Sequence, residues 1–279
     1  MNTLALNSKD NSKDNSKDDS KDIFKDSPVA HVSTLGAYLS ETRYELMRAI
    51  RNPSVAIPVL LLPVALYALF AVVIAGEAIT KDPDVGIFLF AAFSIMAVTM
   101  PALFGAGVML AIERDMGLLR LKRAQPAPPA AWVVAKIVSG MALAILAYAP
   151  IVILAFTTGK LALTGGQVAA LSGALLIGTI PFCAMGLMVG SLASGSAAPG
   201  FANLIYLPGC YLSGMFFPLP QSMHWQAPIW PQFHVEQFAM HLAGITKYQY
   251  EPLPVAIATM VGYTVLFAAV TIWRLSRKD

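Results

Sequence analysis

The sequence predicts an all-α integral membrane protein of six transmembrane helices, and three observations carry that prediction. Hydrophobic residues make up 57% of the 279 and charged residues only 13%, against roughly 45–50% and about 25% in ordinary globular proteins. Charge is withheld from long stretches: none falls from Val85 to Ile112, and only Lys136 and Lys160 fall between Ala131 and Leu219. A soluble chain must turn over half of its accessible surface to water, and these stretches could not all be hidden. The apolar runs also reach the ~20 residues that cross ~30 Å of hydrocarbon.

Residues 1–32 stand apart. Asn-Ser-Lys-Asp recurs with a period of four from Asn7, degenerating to Ile23-Phe24-Lys25-Asp26. With almost nothing apolar to bury, this tail is expected to be a disordered, solvated segment. Residues 33–52 form an amphipathic helix, capped by Ser33 or Thr34 and stopped by Pro53. Leu35, Leu39, Thr42, Leu46 and Ala49/Ile50 share one face, with Glu41, Glu45, Arg48 and Asn52 opposite. Tyr38, Tyr44 and Arg43, Arg48 and Arg51 suit a headgroup region, so the expected pose is flat in the interface with the arginines outward. A short soluble helix packed on the rest is the alternative.

Residues 53–279 form the transmembrane domain, with spans expected at about 55–75, 85–112, 132–157, 168–193, 199–219 and 253–273. Spans two to four exceed the minimum, so tilt or kinks are expected, and Pro101, Pro150, Pro181 and Pro208-Gly209 fall inside spans. Basic residues set orientation. With the N-terminus inside, Arg43, Arg48, Arg51, Arg114, Arg120, Lys122, Arg123, Arg274, Arg277 and Lys278 lie inside against Lys81, Lys160 and Lys247 outside. Both termini are therefore expected in the cytoplasm, with Lys136 snorkelling to the inner headgroups.

Much chemistry is excluded. There is no phosphate-binding Gly-x-x-x-x-Gly-Lys-Ser/Thr loop, no local Ser-His or Cys-His pair and no His-Glu-x-x-His site. The expected spans hold no Asp or Glu, which argues against a proton- or sodium-coupled pump. Cys183 and Cys210 both lie in apolar stretches and offer no disulfide framework or metal site. The N-terminus lacks a signal-peptide pattern, and a net charge of +3 gives no reason to expect nucleic acid. The most informative polar stretch is the inner loop after span two, where Glu113 to Arg123 packs two acids and four bases around Leu118, Leu119 and Leu121. It reads equally as a docking ridge for a soluble partner or as a plain topology signal.

That loop, Glu113-Arg114-Asp115-Met116-Gly117-Leu118-Leu119-Arg120, resembles the Glu-Arg-Glu-x-Gly-Thr-Leu-x-x-Leu segment of ABC-2 type permeases, with Leu118 standing where the family often has Thr. Gln125 to Trp132 and Lys136 look like its continuation. Leu212-Ser213-Gly214-Met215-Phe216-Phe217-Pro218 is similar to the family's Leu-Ser-Gly-x-x-Phe-Pro, and Trp225 to Pro231 to its Pro-containing segment before a short helix. The resemblance runs from about Ser33 to Trp273. It implies that the helix carrying Glu41, Arg43, Glu45 and Arg48 is an elbow, and that Glu113, Arg114, Gly117, Leu118 and Arg120 belong to a coupling contact. The partner implied is a separate ABC ATPase in two copies, which binds ATP and Mg, while this chain binds no cofactor. A second permease copy is implied too, making a homodimer among membrane lipids of a bacterial inner membrane. It further implies short re-entrant helices between Pro220 and Pro252.

The chain is thus expected to be the permease of an ATP-driven exporter of a drug, lipid or lipid-linked glycan. The rival readings are a membrane enzyme acting on lipid-linked substrates through His234, Glu236 and His241, and a structural assembly factor. His224, His234, His241 and Glu236 are read as interfacial polar residues ahead of metal ligands. Gly186-Leu-Met-Val-Gly190 reads as an intrachain packing seam ahead of a dimer seam. Met96, Met100, Tyr148, Phe182, Tyr206 and Phe216 serve equally as passage lining or core.

Overall fold

The computed structural model describes residues 34–119, 121 and 129–277. The repeat tail, Ser33, Arg120, Lys122, Arg123, the turn at Gln125 and Lys278 lie outside them. The described residues are helical, with no strand among them. In chain order they form α1 (Thr34–Arg51), α2 (Pro53–Tyr67, continuing to Ile74), α3 (Gly76–Lys81), α4 (Pro83–Asp115), α5 (Pro129–Thr157), α6 (Gly165–Leu192), α7 (Ala198–Leu212), a 3-10 helix (Gln221–Ile229), α8 (Pro231–Leu242), a 3-10 turn (Thr246–Tyr248) and α9 (Leu253–Ser276).

Local chemistry sets these boundaries. Pro53, Pro83 and Pro231 enter first turns, where the missing N–H costs nothing. Asp82 caps α4 by accepting from the Asp84 amide. Thr164 and Gln167 form a reciprocal capping box on α6. From Ala68 to Ile74, α2 widens to π geometry, with the Ala75 amide donating to the Phe70 carbonyl. Gly117, at φ +72°, turns the chain after α4.

Among the described residues, five helices are long and apolar enough to span: Ala56–Ile74, Pro83–Asp115, Ala131–Thr157, Gly165–Leu192 and Leu253–Ser276. The stretch expected as one span over 199–219 is instead a 15-residue helix ending at Leu212. Gly214, at φ +84°, breaks it, and the Leu212 carbonyl so released accepts from the Gln226 amide at 2.9 Å.

The centre of the bundle is α4, with Phe90, Ile95, Met96, Leu103 and Leu110 all sealed from the surface. At 33 residues it is about 50 Å long, so its charged ends project beyond ~30 Å of hydrocarbon. Helix α6 crosses it on glycine. A Cβ on Gly186 would strike the Leu103 carbonyl, and one on Gly190 would strike the Gly107 carbonyl. The Gly-x-x-x-Gly pattern is therefore the α4–α6 seam within one chain, as the sequence suggested. Met96, Met100, Tyr148, Phe182 and Tyr206 are core residues. The Tyr206 hydroxyl pairs with Thr99 at 2.8 Å, and its ring meets Phe104 and Phe182 edge-on. Phe216 packs against that core. Cys183 and Cys210 are buried and free.

Candidate functional site

Charge gathers at one end of α4. Lys136, one turn into the apolar stretch of α5, is fully enclosed, and its Nζ donates to Glu45 Oε2 of α1 and Glu113 Oε1 of α4, each at 3.0 Å. Arg48 of α1 reaches the same Glu113 oxygen at 2.7 Å. The Trp132 indole donates to Glu113 Oε2 at 3.4 Å, and Lys136 Nζ sits 5.4 Å from the centre of that ring. Three helices are thus pinned at one carboxylate.

Two expectations are corrected here. Lys136 does not snorkel outward, because two carboxylates meet it inside the protein. Helix α1 turns Glu45 and Arg48 into the same junction, so Arg48 is not outward as expected, while Arg43 and Arg51 are exposed, as are Leu35 and Leu39 at 69% and 64%. Its ionic face is drawn inward by Lys136 and Glu113, leaving the apolar face for lipid to cover. Glu41 is half-buried and Arg43 exposed.

The next residue ties in a fourth helix. Arg114 donates to the carbonyls of Gly190 and Ser191 and, at 2.6 Å, of Ala193. It thereby satisfies the last acceptors of α6 and complements the negative end of that helix. Asp115 accepts from the Gly195 amide at 2.7 Å. Of the expected coupling residues, Glu113 and Arg114 therefore face inward, Gly117 makes the turn with open space around it, and Leu118 is half-buried. Arg120 lies outside the described residues. Among the described residues of this loop, Met116 and Leu121 are the exposed large apolar side chains, at 62% and 64%. Sequence reasoning passed over the Glu45–Lys136–Glu113 junction, although a lone lysine in an apolar helix is itself a signal that a partner is near.

The opposite end holds the Leu212–Pro218 motif. Ser213 Oγ accepts from the Met215 amide at 3.3 Å, Gly214 supplies the left-handed turn, and Phe217 stacks on Tyr211. Beyond it lie two short helices, the 3-10 helix and α8; His234, Glu236 and Gln237 of α8 are buried, not interfacial as expected, and His241 is half-buried, while His224 of the 3-10 helix is exposed. His234 commits both ring nitrogens, to Glu251 Oε2 and the Pro228 carbonyl, each at 2.8 Å. His241 meets the Glu251 carbonyl at 2.6 Å. Gln237 donates to the Tyr248 carbonyl and accepts from the Tyr250 amide. These residues hold a loop; among the described residues no group of three His, Cys, Asp or Glu is placed to take a metal. Lys247 pairs with Asp84, fastening the same loop to the start of α4.

Long apolar helices with their ionic contacts sorted to the two ends define a multi-pass membrane protein, and the Glu113 junction joins three of its helices. Its family is the ABC-2 type transporter family, to which the chain belongs: the family's model matches residues 37–234. Over 230 residues the chain is 23% identical to a Bacillus subtilis (strain 168) protein named as a transport permease, YvfS, covering 80% of this chain and 91% of that one. The chain is accordingly a transport permease.

Proposed function

We propose that this chain is the membrane subunit of an ATP-driven exporter, coupled through the Glu113–Leu121 loop to a separate ABC ATPase. Two permease copies and two ATPases would work together in a bacterial inner membrane, with both termini cytoplasmic. The observation that carries this reading is the junction of Glu113 with Arg48 and Lys136. Displacement of the loop would pull on α1, α4 and α5 together, while Arg114 passes the load to α6. Such packed, ion-paired joints favour discrete states over gradual deformation.

On this reading the chain crosses six times. Helix α7, at 15 residues, is about 22 Å long, and Ser213 to Pro218 would complete its passage. The two short helices after it would dip into the outer leaflet as a gate, a placement that the internal bonds of Gln226, His234 and Gln237 favour. The absence of charge from Val85 to Ile112 suits a hydrophobic or amphipathic cargo such as a drug, lipid or lipid-linked glycan.

Met116→Glu with Leu121→Glu tests the coupling without touching the buried joint. The double variant should insert and fold normally yet lose stimulation of a co-expressed ATPase and lose export. Undiminished coupling, or ATP turnover by the purified chain alone, would overturn the reading.

A further inference from the structure

Between the Ser213-Gly214 turn, the 3-10 helix and α8 lies a cavity of about 240 Å³ that touches neither the inner junction nor the α4–α6 seam. Its wall includes Phe88 of α4, Phe233 of α8, Tyr250 and His224, together with Glu236. Glu236 is 5% exposed, yet no described residue offers it a hydrogen bond or a cation. Its neighbours are spoken for. Gln237 is engaged by the 248–251 loop, Glu251 by His234, and His224 Nε2 by the Leu219 carbonyl.

We propose that this cavity binds the ammonium group of an organic cation, held by the Glu236 carboxylate and by the aromatic faces around it. Buried carboxyls are ordinarily paired, and a carboxylate in a cavity that Phe88, Phe233 and Tyr250 also line matches a poorly hydrated cation better than a metal ion, which would need several oxygen ligands. The volume is below the about 300–1,000 Å³ of drug-sized sites, so the occupant is a headgroup or small amine. Tyr250, 62% exposed, and His224, also exposed, give it a way in. The same chemistry arises from a free alkylammonium or from the amine headgroup of a phospholipid.

Burial pushes the Glu236 carboxyl up to about 8, so a bound cation must displace its proton. The other titratable groups on the cavity wall are His224 and Tyr250. Behind α8 the His234–Glu251 pair and His241 face the loop.

The test is calorimetric binding of tetramethylammonium, whose charge is permanent, to the purified chain in phosphatidylglycerol nanodiscs at constant salt. Affinity should rise about tenfold from pH 7 to pH 9, following the ionised fraction of a carboxyl near pH 8. Glu236→Gln should abolish specific binding, Tyr250→Leu at the exposed mouth should weaken it, and His224→Gln should keep the rise with pH. Competition by phosphatidylethanolamine added to the discs would assign the site to a lipid headgroup, and its absence to a free amine. Binding that survives Glu236→Gln, or no binding in the folded wild type, would overturn the proposal and leave a merely hydrated carboxyl. The measurement uses the resting chain without ATP or ATPase, so its outcome is independent of whether the chain is an exporter.

Discussion

Replacing Lys136 by Met keeps the bulk of the α5 side chain and removes its charge. In the native chain Glu45 and Glu113 each lie 3.0 Å from the same nitrogen, so their bonded oxygens are no more than about 6 Å apart. Without the lysine they face one another directly. At an effective dielectric of about 20, two like charges at that separation repel by roughly 3 kcal/mol. Opening a buried ion pair from one side typically costs about 3–5 kcal/mol, and Arg48 remains to offset part of the loss at Glu113. A destabilisation of about 3 kcal/mol is therefore expected, read by chemical unfolding in detergent, with exposed Lys81→Met as a control that should stay within about 0.5 kcal/mol. Glu45→Gln should rescue part of it, and the double-mutant cycle should show coupling of at least about 0.5 kcal/mol. A Lys136→Met protein as stable as wild type, or strict additivity with Glu45→Gln, would refute the buried junction.

The helix seam and the outer carboxyl give two further expectations. Gly186→Ala forces a methyl into the Leu103 carbonyl, so α4 and α6 must part at a cost of about 1–3 kcal/mol; an unchanged unfolding midpoint would show that the seam is looser than described. Glu236 holds its proton up to about pH 8 in the folded chain, whereas an ordinary carboxyl releases it near 4.5. The folded state thus binds the extra proton between these values, and this group lowers stability progressively as pH rises from about 4.5 to about 8. Unfolding profiles across pH for wild type and Glu236→Gln should diverge in that window, with the variant flatter; parallel profiles would contradict the burial of this carboxyl.

What the sequence displayed, and what it concealed, divides along a physical line. Long uncharged runs have one solution in a bilayer, so the spans through α2, α4, α5, α6 and α9 could be read from hydropathy and length alone. The seam at Gly186 and Gly190 was visible because only small residues let helix backbones touch. The break at Gly214 was harder to see, since the apolar run continues through Phe216 and Phe217 and composition does not record φ. Periodicity located both faces of α1 but not the inward turn of Arg48 and Glu45 to the junction. An amphipathic helix in a membrane protein has two media that accept its apolar face, the bundle and the lipid, so the choice falls to the polar face and its partners.

Those partners lie far away in sequence, and this is why the inner site was only half legible. Glu113 stood out within a charged loop, and such a loop suggests a surface that meets another molecule. In the fold Glu113 is the most enclosed of the loop's described residues, bound to a residue 65 positions before it and another 23 positions after it. Its conspicuous charge serves the joint, while Met116 and Leu121 are exposed beside it; on the proposed reading these two meet the partner, and of them only Leu121 belonged to the ridge that the sequence suggested. On that reading a charge cluster that organises helices and a ridge that meets a partner are two layers of one device. Mutating the ridge should uncouple the chain while sparing its fold, whereas mutating the joint should cost stability first.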